Sequence, residues 1–201
     1  MAENTYVVYN ENKEACIIDP GCFTRMEKEE LERFIKRNEL TVKLILLTHA
    51  HLDHIFGLKW ASEKWQITPH MHPSEKPVLE RGPQIGLMYG LHFDAYNGPT
   101  LPLIDSNTIF LGNDALNVIF APGHSPGHVC FYCSLQHFVI GGDVLFQGSI
   151  GRTDLPGGNF ETLINSIKTR LFVLPEPTIV YCGHGPETTI GEEKQYNPFL
   201  T

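Results

Sequence analysis

An apolar run over residues 42–47 is followed at once by Thr48-His49-Ala50-His51-Leu52-Asp53-His54. A continuous apolar run reads as a strand in a sheet covered on both faces, so the polar cluster falls on the loop at that strand's end. Four ligand-type side chains in six residues, His49, His51, Asp53 and His54, have no packing rationale. Several polar groups on one loop are costly to bury unpaired. Imidazole and carboxylate donors suit zinc, and also iron or manganese. One tetrahedral ion could hardly take all four from so short a loop. A division between two ions is more natural, with His49 and His51 on one and Asp53 and His54 on the other.

Further candidates stand at three later predicted strand ends. His124 lies in Pro122-Gly123-His124-Ser125-Pro126-Gly127-His128, Asp143 in Gly141-Gly142-Asp143, and His184 in Gly183-His184-Gly185. Each is flanked by glycine, which lets the backbone turn sharply. A carboxylate such as Asp143 can bridge two cations through its two oxygens. The count then closes with His49, His51 and His124 on one ion, Asp53, His54 and His184 on the other, and Asp143 between them. Two such ions make a bound water a hydroxide at neutral pH and clamp the reacting oxygens. A lone histidine at a strand end is usually just a satisfied polar group, and His70, His72, His92 and His137 are read that way. His128 begins a predicted strand and stays open between a packed polar group and a hydrogen-bond partner of a ligand or substrate.

The remaining pattern frames this cluster. Tyr6–Tyr9 and residues 15–18 read as strands around the polar turn 10–13. Residues 25–38 read as a helix, with Leu31, Phe34 and Ile35 at helical spacing. Residues 56–65 fit another helix and 67–71 a short strand. The Pro- and Gly-rich stretch 73–104 reads as a long, partly helical excursion of the kind that often binds ligands. Thr108–Leu111 and 115–121 form a predicted hairpin, 128–134 and 138–141 two more strands, 160–171 a helix and 178–182 a last buried strand. Hairpins in each half, with interleaved helices, predict an α/β chain with two mixed sheets flanked by helices, an αββα sandwich forming a single domain over residues 1–201.

Composition excludes several classes. Lys+Arg total 15 against 23 Asp+Glu, a formal net charge of -8, which argues against a nucleic-acid backbone as partner. No apolar run resembles a secretory signal or reaches membrane-spanning length. A cytoplasmic protein with reduced thiols and no membrane association is expected. Cys130 and Cys133 look like a CxxC pair but fall on a predicted strand, where residues three apart point to opposite faces.

With these motifs on the page, the chain resembles the metallo-β-lactamase-fold superfamily, and within it the short bacterial form of glyoxalase II, the hydroxyacylglutathione hydrolases. THAHLDH, PGHSPGH, GGD and CGHG fall in that family's order, supported by Ile18-Asp19-Pro20-Gly21, Gly148-Ser149-Ile150-Gly151-Arg152-Thr153-Asp154 and Pro186-Glu187-Thr188-Thr189. The resemblance implies the seven-residue dinuclear site given above, with Asp53 and Asp143 as its catalytic carboxylates. It also implies hydrolysis of a small thioester such as S-lactoylglutathione, in which the bridging hydroxide attacks the carbonyl and the thiolate leaves. Arg152 matches a basic position and could pair with a substrate carboxylate, or instead with Asp154, which stands where the larger enzymes have tyrosine. Their C-terminal helical domain is expected to be absent, and so is a strand before Asn4, whose loss would expose a sheet edge. The alternatives are a mono-iron persulfide dioxygenase, using ligands such as His49, His124 and Asp143, and a lactonase on the same scaffold. His128 favours the hydrolase, because the dioxygenases usually lack a histidine there.

Overall fold

The computed structural model describes residues 3–200 and divides by contacts into two compact units. The first holds Glu3–Pro102 and the short segment Phe110–Asp114. The second holds Leu103–Ile109 and the chain from Ala115 onward.

The first unit is a five-stranded sheet with its helices. β1 (Tyr6–Tyr9), β2 (Glu14–Ile18), β3 (Thr41–Leu46), β4 (His70–Met71) and β5 (Leu101–Pro102) lie side by side in chain order. β1 pairs antiparallel with β2, and the other pairings are parallel. Parallel β2 and β3 must be joined by a crossover, here helix α1 (Arg25–Arg37). Its start is fixed by a capping box: Thr24 Oγ1 accepts from Glu27 N–H, and Glu27 Oε2 accepts from Thr24 N–H. Leu31 and Ile35 of α1 pack on Ala15, Ile17 and Val42 of the sheet. Helices α2 (Leu52–Ile55) and α3 (Leu58–Trp65) follow β3, and Ile55, Leu58 and Ala61 pack with Ile45, Leu47 and Met71.

One expectation is narrowed here, one is corrected and one is met. The helix foreseen over 56–65 forms as α3 but starts two residues later, at Leu58, because the chain turns at Phe56-Gly57 after the separate α2. The Gly57 main chain approaches Pro20 and Cys22 too closely for any larger residue, and its N–H donates to Pro20 C=O. The strand foreseen over 67–71 shrinks to two residues, because only His70 and Met71 find partners. The excursion 73–104 contains a 13-residue helix, α4 (Lys76–Met88), that tolerates Pro77 in its first turn and Pro83 inside. Gly82 and Gly86 let Phe93 lie against it.

Apart from Phe110–Asp114, which group with the first unit, a six-stranded sheet forms the body of the second unit. It comprises β6 (Thr108–Leu111), β7 (Asp114–Phe120), β8 (Val129–Cys133), β9 (Phe138–Gly142), β12 (Ile179–Cys182) and β13 (Thr188–Thr189), in the order β13-β12-β9-β8-β7-β6. Only β9 and β12 pair in parallel among the ladders described. A small ribbon, β10 (Leu145–Phe146) with β11 (Ser149–Ile150), follows β9. Helix α5 (Phe160–Ser166) is capped by Asn159 and runs on as a π turn to Leu171, so the helix foreseen over 160–171 changes pitch halfway. Leu163, Ile167 and Leu171 pack on Ile119, Val139 and Val180. Helix α6 (Ile190–Tyr196), capped by Thr189, was not foreseen. The molecule thus has two mixed sheets with helices against them, the α/β class expected. All five cysteines are buried and none forms a disulfide. Among the described residues no helix is long and apolar enough to cross a membrane.

Candidate metal centre

In the first unit β2 and β3 run parallel, with Ile18 opposite Leu46, so both strands end on the same side. The next residues, Asp19 and Thr48-His49, therefore meet. Asp19 takes a left-handed conformation (φ 50°) and is buried. Its Oδ1 accepts from Thr48 N–H at 2.7 Å, and its Oδ2 accepts from Thr48 Oγ1–H at 2.6 Å. His54 Nδ1 lies 3.0 Å from the same Oδ2, and His49 Nδ1 lies 3.0 Å from Thr48 Oγ1. Since the Thr48 hydroxyl donates to Asp19, it must accept from His49. Both rings therefore carry their proton on Nδ1, leaving Nε2 of each as the nitrogen that can hold a metal.

The cluster is not all loop. His51 is the N-cap of α2, and Asp53 and His54 stand on that helix. The rings of His49 and His51 are 4.7 Å apart at 87°, and those of His49 and His54 are 4.1 Å apart. His49 and His54 are fully buried, whereas Asp53 is half-buried and lines a groove of about 1170 Å³. Two carboxylates that sequence reasoning did not single out support this loop. Glu75, fully buried, accepts the main-chain N–H of Ala50, between the first two histidines, at 2.8 Å. Glu3 Oε1 lies 3.8 Å from His54 Nδ1 with its side chain 6% exposed, and burial pushes its carboxyl up to about 8. Neither has a local motif. Asp19 did stand in a noted segment, but its role emerges only when β2 and β3 pair.

In the second unit β7 and β9 both pair antiparallel with β8, and β12 pairs parallel with β9. All three thus end on one side of the sheet, delivering His124, Asp143 and His184 together. Asp143 Oδ2 lies 3.5 Å from His124 Nε2 and 3.4 Å from His184 Nε2. Two donors bound at about 2.1 Å to one tetrahedral zinc are separated by roughly 3.4 Å, so both spacings suit an imidazole and a carboxylate sharing a cation. His124 Nδ1 donates to Arg152 C=O at 2.7 Å, which again reserves Nε2. Gly151 makes this close packing possible, since a Cβ there would collide with Asp143 C=O. Asp143 N–H donates to His128 Nε2 at 3.0 Å. Arg152 forms two 2.7 Å bonds with Asp154, and both side chains are exposed.

A His/Asp constellation suited to metal binding is therefore present, and its donors fit the chemistry expected of them. His70 and His72 lie elsewhere, on β4 and just before α4, and Cys130 and Cys133 are embedded in β8.

Comparison with known proteins agrees. A profile described as the metallo-beta-lactamase superfamily matches residues 1–184. The probable metallo-hydrolase YqgX of Bacillus subtilis is 44% identical over 98% of the chain and 92% of that protein. Hydroxyacylglutathione hydrolase GloC of Haemophilus influenzae is 37% identical over the same shares. The crystal structure of TTHA1623 in a di-iron-bound form superposes with a TM-score of 0.89 at 38% identity, covering 98% of this chain and 95% of that one.

Proposed function

Because the chain belongs to the metallo-beta-lactamase superfamily, we propose that it is a dinuclear metal-dependent hydrolase of small thioesters of the S-lactoylglutathione kind. The observation that carries the proposal is Asp143 Oδ2 lying at ligand-sharing distance from two imidazole nitrogens, His124 Nε2 and His184 Nε2. One carboxylate between two histidines is what a bridged pair of ions requires. His49, His51 and His124 would hold one ion, Asp53, His54 and His184 the second, with Asp143 between them. Similarity to GloC and to a di-iron-bound structure supports both the thioester and the pair of metals. The donor set suits zinc, iron or manganese. Such a pair supplies a nucleophile at neutral pH and Lewis acidity toward a carbonyl oxygen.

The chain's own residues supply the rest. Asp19 and Thr48 hold the protons on His54 and His49 away from their metal-binding nitrogens. Arg152 can exchange its exposed partner Asp154 for a substrate carboxylate at little cost, since exposed ion pairs contribute only about 0–1 kcal/mol. Asp53, which lines the groove, and Asp143 are the two carboxylates assigned to the chemistry. We place the activity in the cytoplasm, on a small-molecule substrate, with no nucleic acid or membrane partner.

The test is metal analysis coupled to two assays on one preparation, S-lactoylglutathione hydrolysis and oxygen uptake with glutathione persulfide. The hydrolase reading expects about two metal equivalents and thioester turnover. A single retained iron with oxygen uptake and no thioester hydrolysis would replace it with the dioxygenase.

A further inference from the structure

The second histidine of the PGHSPGH segment has no place among the seven ligands, yet it is fully buried beside one of them. We propose that His128 is a positioning residue: its Nε2 is the acceptor that locks the main chain of Asp143 and so aims the carboxylate. The proposal rests on the dinuclear reading above.

β8 and β9 pair with Phe131 opposite Ile140, Tyr132 opposite Val139 and Cys133 opposite Phe138. Extending that register by three residues puts His128 opposite Asp143. The ladder has ended there, because Gly142 turns into the left-handed region (φ 51°) and carries Asp143 away from the strand. A main-chain N–H that leaves a ladder in the interior needs another acceptor, and the imidazole supplies it at 3.0 Å.

A main-chain N–H can only donate, so Nε2 of His128 must present its lone pair and the ring's proton must sit on Nδ1. That use of Nε2 is incompatible with ligation. His124 offers the contrast: its Nε2 faces the Asp143 carboxylate, not the main-chain N–H, and two lone-pair donors 3.5 Å apart call for a cation. The two rings stand 6.1 Å apart and nearly perpendicular. One histidine of the segment thus holds the cation and the other holds the residue that bridges it. The main chain of His128 is itself pinned, with its carbonyl accepting from Ala121 N–H at 2.9 Å.

The experiment compares zinc-loaded wild type with His128→Gln, His128→Asn and His128→Phe. The glutamine amide oxygen reaches the position of Nε2, the asparagine oxygen stops at that of Nδ1, and phenylalanine keeps the ring but has no acceptor. Zinc affinity, measured by competition with a chromophoric chelator, should stay within a few-fold of wild type for His128→Gln. It should fall about 10–100-fold for the other two. Long-range 1H–15N spectra of the wild-type imidazoles should show His128 protonated at Nδ1 with Nε2 bare. Wild-type zinc affinity in folded His128→Phe, or a proton on Nε2, overturns the proposal, and the spectra decide it even where a variant does not fold. A wild type that takes up only one ion would sink the dinuclear reading instead, leaving the spectra and the Gln–Phe contrast to judge the bond to Asp143.

Discussion

His54 Nδ1 and Asp19 Oδ2 are 3.0 Å apart, both fully or nearly fully buried, and the same carboxylate also takes the hydroxyl and N–H of Thr48. One side chain from the end of β2 thus fixes the orientation of two histidines that follow β3. Partners of this kind typically affect metal affinity about 10–100-fold. Asp19→Ala should therefore weaken metal binding by that factor and reduce hydrolysis in parallel, while Asp19→Asn, which keeps an acceptor for Nδ1–H, should lose less. Metal competition titrations on the two variants check the order.

Removing a proposed ligand should act on stoichiometry as well as affinity. His54→Ala is expected to cost about one of two metal equivalents. Asp143→Ala is expected to lose both tight binding and turnover, because it takes away the only carboxylate placed against both His124 and His184 among the described residues. Elemental analysis after gel filtration separates these outcomes, and wild-type activity in Asp143→Ala refutes the assignment of the bridge.

Much of this site is local in the sequence and so was legible there. Candidate ligands packed into six residues announce themselves, and glycine-flanked His124, Asp143 and His184 mark strand ends. The supporting residues were harder to see, because their partners are distant along the chain. Asp19 lies 35 residues from His54, and Glu75 lies 25 from Ala50. Only the parallel pairing of β2, β3 and β4 brings them together. Helix α2 was missed because four residues, Leu52 to Ile55, are too few to show a helical period. The π turn over 167–171 is invisible to periodicity, since Ile167 and Leu171 suit an ordinary helix equally well. The division of Asp53 and His54 from His49 and His51 rests on crowding alone, and the metal stoichiometry of His54→Ala tests it.

Glu75 offers a test of loop support separate from the ligands. Its carboxylate accepts the N–H of Ala50 in a fully buried position. Glu75→Ala strands that N–H, at a cost of about 1–3 kcal/mol, and should lower both melting temperature and metal affinity. Glu75→Gln keeps an acceptor and should recover most of both. Equal behaviour of the two variants in thermal melts would remove Glu75 from this role.

His70 bears on acid stability. Desolvation in β4 holds its imidazole below the usual histidine range, offset only in part by the main chain of Ile45, and among the described residues its buried Nδ1 has no hydrogen-bond partner. A base whose folded pKa is depressed is protonated first in the unfolded chain. Its contribution is therefore present above the unfolded value, about 6.5, and is lost as pH falls through that value toward the folded one. His70→Gln should flatten the fall in melting temperature over this acid limb while leaving the alkaline side unchanged. An unaltered acid limb excludes His70 as a cause.

Gly151 separates steric necessity from backbone strain. Any Cβ at Gly151 collides with the carbonyl of Asp143 and crowds His124 Nδ1 at 3.1 Å, so Gly151→Ala must push Asp143 out of place. Overpacking of this kind costs about 1–3 kcal/mol, and here the displaced group is the proposed bridge. Gly148 is the control. It has φ 63° but open space around a new Cβ, so Gly148→Ala should cost only the left-handed strain of about 1–2 kcal/mol. The two variants should show comparable losses in melting temperature, but only Gly151→Ala should also lose bound metal. Equal metal content in both would mean that Asp143 tolerates displacement, and that its main chain, unlike its carboxylate, is not part of how the site is built.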